Sequence, residues 1–139
     1  MTNKSLTSGA CASLTRTVCE DDVLTFAKIT GDNNPIHVDE AWASGTKFNG
    51  RVIHGMLLAS YISAVIATEL PGPGTIILGQ ELRFIAPARI GDTITASVSV
   101  RELLLEQGAA LLTVSCSNQL GKKLISGTIT VLLPENNGD

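Results

Sequence analysis

The sequence predicts an α+β domain: a curved antiparallel sheet wrapped around one long central helix, at about residues 54–70. Three observations predict it. The window from His54 to Leu70 is apolar almost all round, through Met56, Leu57, Leu58, Ala59, Tyr61, Ile62, Ala64, Val65 and Ile66, and a helix with no polar face has to be enclosed. Beyond residue 71 the pattern changes to the period-two alternation of half-buried strands. The chain has 139 residues, the size of one domain, so helix and sheet have to share one core that buries somewhat under ~70% of the unfolded surface.

In chain order, a first strand is expected around Ala12–Val18. Glu20, Asp21 and Asp22 supply an acidic start for a helix through Val23, Phe26, Ala27 and Ile29, ended by Gly31. A short helical turn carrying Trp42 begins at Asp39 or Glu40. The central helix is stopped by Pro71-Gly72-Pro73-Gly74. Thr75–Phe84 then reads as a strand, and three more follow. Ile94, Ala96, Val98 and Val100 alternate with Thr and Ser; so do Leu112, Val114 and Cys116, and Ile125, Ile129, Val131 and Leu133. Gly91-Asp92, Gln107-Gly108 and Gly121-Lys122 punctuate them as turns. These four strands are expected to form a consecutive antiparallel meander. The whole chain, 1–139, is read as one domain, with residues 1–10 and 134–139 as flexible ends.

Composition removes several function classes. Apolar residues make up 44% and charged residues 17%, so a packed core is expected and disorder is not. Ten Lys+Arg against thirteen Asp+Glu give a net charge of −3 with no basic block, and aromatics are 4%, so neither phosphate-led nor stacking-led nucleic-acid binding is expected. The first ten residues hold no apolar stretch of the signal-peptide kind. Met56–Ala67, interrupted by Ser60, Tyr61 and Ser63, falls short of the ~20 apolar residues that span a bilayer. Cys11, Cys19 and Cys116 are odd in number and unpaired by spacing, which indicates neither a disulfide framework nor a zinc site. Asn3-Lys4-Ser5 fits a glycosylation pattern by chance. A reduced, cytoplasmic location is the expectation.

Both histidines, His37 and His54, fall in one window with Gly31-Asp32-Asn33-Asn34-Pro35-Ile36 and Arg51-Val52-Ile53. Pro35 biases Asn34 to an extended conformation, so the Asp32 carboxylate and the His37 imidazole flank a stiff turn and can face one cleft. A carboxylate and a neutral imidazole sharing a water can orient it and take its proton near neutral pH. Gly55 opens the central helix, so its backbone N–H is an unpaired donor at the positive end of the dipole, placed to hold a thioester oxygen that becomes enolate-like. That set needs no nucleophile and no metal. Plainer readings stand beside it. Asp32 can simply close an Asx turn, and His37 and His54 can be hydrogen-bonded structural residues. Ser60 and Ser63 can bond back to helix carbonyls, or Ser63 can reach the Asp32/His37 pair. Trp42 and Tyr61 read as core, Cys116 as a small strand hydrophobe, and Arg51 as either a solvated turn residue or a phosphate contact.

At these residues the chain resembles a known family. FAKITGDNNPIH, residues 26–37, is similar to the hydratase-2 motif of R-specific enoyl-CoA hydratases, the MaoC-like branch of the hot-dog superfamily. The likeness continues through VIHGMLLASYIS, the LPGPG turn, LGQELRFIAPARIGD and the final strands. One departure is Val52-Ile53 before His54, where relatives often carry a proline. The resemblance implies a hot-dog fold and a hydro-lyase of fatty-acid or polyhydroxyalkanoate metabolism that hydrates trans-2-enoyl-CoA to (R)-3-hydroxyacyl-CoA. It implies no cofactor, CoA being part of the substrate. Asp32 and His37 match the family's water-activating pair and Gly55 its oxyanion donor. Asn34 matches the asparagine that shapes the loop and Ser63 a supporting serine, while His54 reads as supporting from the helix start. Ile62, Ile66 and Leu78 are the expected acyl-pocket residues. The resemblance also implies a homodimer, its sheets joined edge to edge with the acyl pockets near the subunit interface, where eukaryotic relatives fuse two such domains in one chain.

Three rival functions remain at this point. The reverse dehydration, on a CoA or acyl-carrier-protein thioester, uses the same site. A hot-dog thioesterase would place a carboxylate on the central helix, whose only acid is Glu69 at the far end. A non-catalytic acyl-thioester binder would make Asp32 and His37 dispensable.

Overall fold

The computed structural model describes residues 6–135. Most of the two ends expected to be flexible, and the Asn3-Lys4-Ser5 tripeptide, lie outside that range. Within it, Gly9 N–H donates to the Val100 carbonyl at 2.8 Å, and Leu6 and Ala10 pack against the core.

Strand β1 covers Cys11–Thr17. Helix α1, Glu20–Thr30, has three acids in its first turn and ends at Gly31, whose φ of 81° is the left-handed cap that glycine adopts without strain. Two short helices follow, α2 at Pro35–Val38 and α3 at Glu40–Ser44. The central helix α4 spans Gly55–Thr68 with His54 as its N-cap. The remaining strands are β2 at Ile76–Phe84, β3 at Thr93–Leu104, β4 at Ala109–Ser117 and β5 at Lys123–Leu132.

The five strands form one antiparallel sheet in the order β1-β3-β4-β5-β2. The expected four-strand meander therefore holds only for β3, β4 and β5. β2 pairs with β5 at one edge, and β1 with β3 at the other. The connection from β2 to β3 is too long for a tight hairpin, and it runs across the sheet end. There Ile53 N–H donates to the Ala88 carbonyl at 2.9 Å and Gly91 N–H to the Val18 carbonyl at 2.7 Å, which ties together the entry to α4 and the end of β1.

The alternation decides which face meets α4. Ile94, Ala96, Val98 and Val100 of β3, Leu112, Val114 and Cys116 of β4, and Ile125, Ile129 and Val131 of β5 are all buried, with Leu57, Leu58, Ile62, Val65 and Ile66 of α4 against them. Register shifts at Ile77/Gly79, Val100/Glu102 and Cys116/Ser117 give the local bending that lets a sheet curve round a helix. Gly127 occupies the inward position between Ile125 and Ile129, where a Cβ would collide with the Glu81 main chain of β2.

Two packing expectations need correction. α4 is not fully enclosed in the single chain: Met56 is 53% exposed, and Ser60 and Ala67 are open along the same side. Apolar composition shows that a surface wants cover without showing that this chain supplies it. Trp42 is not core either, being 51% exposed, because α3 is only five residues long and lies outside the sheet. Tyr61 is half-buried against the core, with the Arg16 guanidinium 5.6 Å from its ring centre.

Candidate active site

The chain places Asp32 by closing α1 and turning sharply. Thr30 Oγ1 donates to the Phe26 carbonyl at 2.8 Å and accepts from Asp32 N–H at 3.1 Å. Asp32 Oδ1 then accepts from Asn34 N–H at 3.3 Å, so the Asx turn is present, with the second carboxylate oxygen left for other work. Asn34 in turn caps α2, its Oδ1 accepting from Ile36 N–H at 3.2 Å. The stiff turn expected around Pro35 is thus a short helix with Pro at its first position, where a missing N–H costs nothing.

α2 carries His37 to the start of α4. The His37 Nδ1 lies 2.8 Å from the Val52 carbonyl. A carbonyl only accepts, so Nδ1 carries the hydrogen, and in the neutral ring Nε2 is the nitrogen with the free lone pair. The acceptor is held as well. Val52 N–H donates to the Ile36 carbonyl at 3.0 Å, and Ile53 N–H, in the same peptide unit as that acceptor, donates to Ala88.

His54 is 99% buried, at 1% relative exposure. Its Nε2 donates to the Asp32 carbonyl at 3.0 Å, and its ring stacks on His37 with centroids 4.0 Å apart and planes 27° apart. Burial holds its pKa below the ordinary imidazole value; the bond to Asp32 opposes that, and charge on His37 adds to it. Asp32, His37 and His54 each bring a ligand-type atom within 4.8 Å of the others. The same three side-chain types can hold a metal ion. Here, though, the two rings are stacked, so their lone pairs run side by side instead of meeting at the ~2 Å that zinc requires. Turning either ring would break its bond to Val52 or Asp32.

A cavity of about 400 Å³ opens beside His37 and Gly55, walled mainly by apolar groups including Phe48, Leu58, Phe84 and Ile125. Gly55 is the first residue of α4, so its N–H has no carbonyl one turn back. Phe84 crowds the glycine: a Cβ at 55 would sit 2.7 Å from Phe84 Cδ1, so the ring would have to move. A larger depression of about 660 Å³ over the β2–β5 pairing is lined by Gln80, Glu81, Arg83, Ser126 and Thr128 among others, and includes neither histidine.

The structure brings together Asp32, Asn34, His37, His54 and Gly55. The expected acyl-pocket residues it does not. Ile62 and Ile66 are buried in the core and Leu78 is 57% exposed on β2; none of the three lines the cavity by His37. Ile62 and Ile66 face the sheet and belong to the core cluster instead. Ser63 is half-buried with no hydrogen-bond partner for its hydroxyl among the described residues, whereas Ser60 bonds back to the Met56 carbonyl at 2.8 Å. Arg51 is neither solvated nor free: its side chain is 13% exposed, between Glu20 at 3.4 Å and Glu40 at 3.3 Å. Along α4 there is no carboxylate, and Glu69 follows its last residue.

Several contributors escaped the sequence reading. The Val52 carbonyl is main chain and has no side-chain signature. Phe84 sits in an ordinary strand pattern. Arg89 spreads its guanidinium over the carbonyls of Phe48, Gly50 and Arg51 and so holds the loop that enters α4. Only its place after Ala86-Pro87-Ala88, in the stretch already likened to the family, pointed to it.

Comparison with known proteins agrees with this geometry. A profile for the MaoC like domain matches residues 5–121. The (R)-specific enoyl-CoA hydratase of Rhodospirillum rubrum is 47% identical over 126 residues, covering 91% of this chain and 87% of that protein. The 3-hydroxybutyryl-CoA dehydratase of Methylorubrum extorquens is 46% identical over 109 residues, covering 78% and 69%. In three dimensions the (R)-hydratase from Aeromonas caviae superposes with a TM-score of 0.90 at 40% identity, over 94% of this chain and 99% of that one. The sheet wrapped on α4 is the hot-dog fold. The chain belongs to the MaoC-like domain family.

Proposed function

We propose that this chain is a hydro-lyase that reversibly hydrates trans-2-enoyl-CoA to (R)-3-hydroxyacyl-CoA. One observation carries the reading: His37, its Nδ1–H bonded to Val52, lies at the wall of a cavity that also holds Gly55, and Asp32 and His37 bring a carboxylate oxygen and a ring nitrogen within 4.8 Å of each other. The names of the relatives support the substrate class and both directions.

In the proposed reaction a water sits between Asp32 and His37. Its oxygen bonds to C3 as one of its protons passes to the pair, His37 Nε2 being the free base. The C2=C3 electron pair shifts toward the thioester, and the charge gathering on the carbonyl oxygen is met by Gly55 N–H at the start of α4. The pair then returns a proton to C2. Dehydration is the same path reversed. Asn34 supports the pair by shaping the Asp32 loop, and we assign Ser63 a supporting role near the Asp32/His37 pair. No cofactor or metal is invoked.

We read residues 1–139 as one such domain, working as a homodimer in the cytoplasm. The open side of α4 at Met56, and β2 as an edge strand carrying exposed Ile76 and Leu78, support pairing with a second copy, which would cover both. No helix among the described residues is long and apolar enough to cross a membrane. With β2 covered in that way, Leu78 borders the acyl chain in the dimer, and Ile62 and Ile66 set its space from the core behind the cavity wall.

The test is to give purified protein crotonyl-CoA and follow loss of the enoyl absorbance, with the same acyl group on carrier protein in a parallel arm. Loss on CoA supports the reading, and faster loss on carrier protein moves the substrate to that thioester. Release of free thiol would mark a thioesterase. A silent protein in both arms ends the proposal.

A further inference from the structure

Among the described residues His54 is the one buried polar side chain of the core, and the reaction described above gives its ring no chemistry. It does not line the cavity, yet it touches both members of the pair. Its Nε2–H holds the Asp32 main-chain carbonyl at 3.0 Å, its ring lies against His37 at 4.0 Å, and Phe26 packs edge-on to its other side at 4.9 Å. Its Nδ1 is buried without a partner among the described residues. That combination permits one form only. The carbonyl requires hydrogen on Nε2, and hydrogen on Nδ1 as well would bury a donor with nothing to receive it.

We propose that His54 is a positioning residue, fixed as the neutral Nε2–H imidazole, that sets the distance between Asp32 and His37. The hydrogen bond anchors the Asp32 turn to the start of α4, where Gly55 also sits. The stack limits rotation of His37 about its single bond to Val52. One side chain thereby joins α1's exit loop, α2 and α4, the three elements that carry the acid–base pair and the N–H donor. The kinetic consequence rests on the hydratase reading; the tautomer and the anchoring do not.

Three variants separate this role from simple core packing. His54→Gln reaches to the Nε2 position and can keep the bond to Asp32. His54→Asn is too short to do so, and His54→Phe keeps a flat ring without a donor. Turnover of crotonyl-CoA is expected to fall about 10- to 100-fold in the Asn and Phe variants, the effect of losing one bond at a buried site. It should fall under about tenfold in Gln, with KM within about threefold throughout, since the ring does not reach substrate. Loss that follows side-chain volume, with Phe best and Gln as poor as Asn, would overturn the assignment, as would a rise in KM in place of a fall in kcat. Ring-nitrogen NMR of the unaltered protein covers the case in which a variant does not fold or the protein hydrates nothing. His54 is expected to show a protonated Nε2 and a bare Nδ1, and a protonated Nδ1 would overturn the proposal by itself.

Discussion

The Val52 carbonyl lies 2.8 Å from His37 Nδ1, and that bond determines which nitrogen of the ring is available. The peptide that supplies the acceptor is pinned at its other end, through Ile53 N–H to Ala88, so the imidazole is held by main chain of the α3–α4 loop that is itself tied to the connection between β2 and β3. Base orientation here depends on a crossover that passes from one side of the sheet to the other.

Gly55→Ala should reduce turnover more than stability. A Cβ there meets the Phe84 ring at 2.7 Å, and that ring is 53% exposed and can swing. Thermal or urea unfolding should show about 1 kcal/mol lost. The displaced ring moves in the cavity beside the N–H donor, so kcat should drop at least about tenfold. Equal losses in folding and turnover would mean that the glycine serves packing alone.

Stability should depend on pH through His54. Its folded pKa lies below the ordinary value of 6.5, so the unfolded chain takes up the proton first as pH falls. The neutral ring's contribution is complete above about 6.5 and is lost as pH drops through that value toward the folded pKa. Melting temperature should therefore fall between pH 7.5 and 5.5, and the slope should flatten in His54→Gln. An unchanged slope in that variant would place the dependence elsewhere.

Cysteine reactivity should divide two to one. Cys116 is buried, its Sγ is 3.5 Å from the Leu58 carbonyl, and burial pushes its thiol up to about 12, while Cys11 and Cys19 are exposed. Mass spectrometry after iodoacetamide at pH 7.5 should show two adducts on the native protein and three on the unfolded one. Rapid addition of a third to native protein would contradict the packing of β4 on α4.

Much of the fold was legible because it is local. The apolar run after His54 and the Pro-Gly stop marked α4, and alternation marked β3, β4 and β5 with the correct faces buried. The sheet order was not legible, since period-two patterning identifies a strand without naming its neighbour, and β2 went to the far edge. α2 was hidden because Pro35, read as a breaker, stands at the one helical position that favours proline. At the site, Asp32, Asn34, His37, His54 and Gly55 lie in two short stretches and were readable together. The cavity wall was not: Phe84 and Ile125 come from strands distant in sequence, while Ile62 and Ile66 carried the right chemistry toward the sheet.

The central claim is that Asp32 and His37 jointly activate water, and a pair of near-isosteric variants tests it most directly. Asp32→Asn keeps an oxygen for the Asn34 N–H and removes the charge. His37→Asn keeps a donor near the Nδ1 position for Val52 and removes the Nε2 base. With both variants folded, the rate of enoyl absorbance loss on crotonyl-CoA should fall about 100- to 10,000-fold in each, the range of acid–base catalysis. Either variant turning over within about tenfold of the unaltered protein would contradict the account.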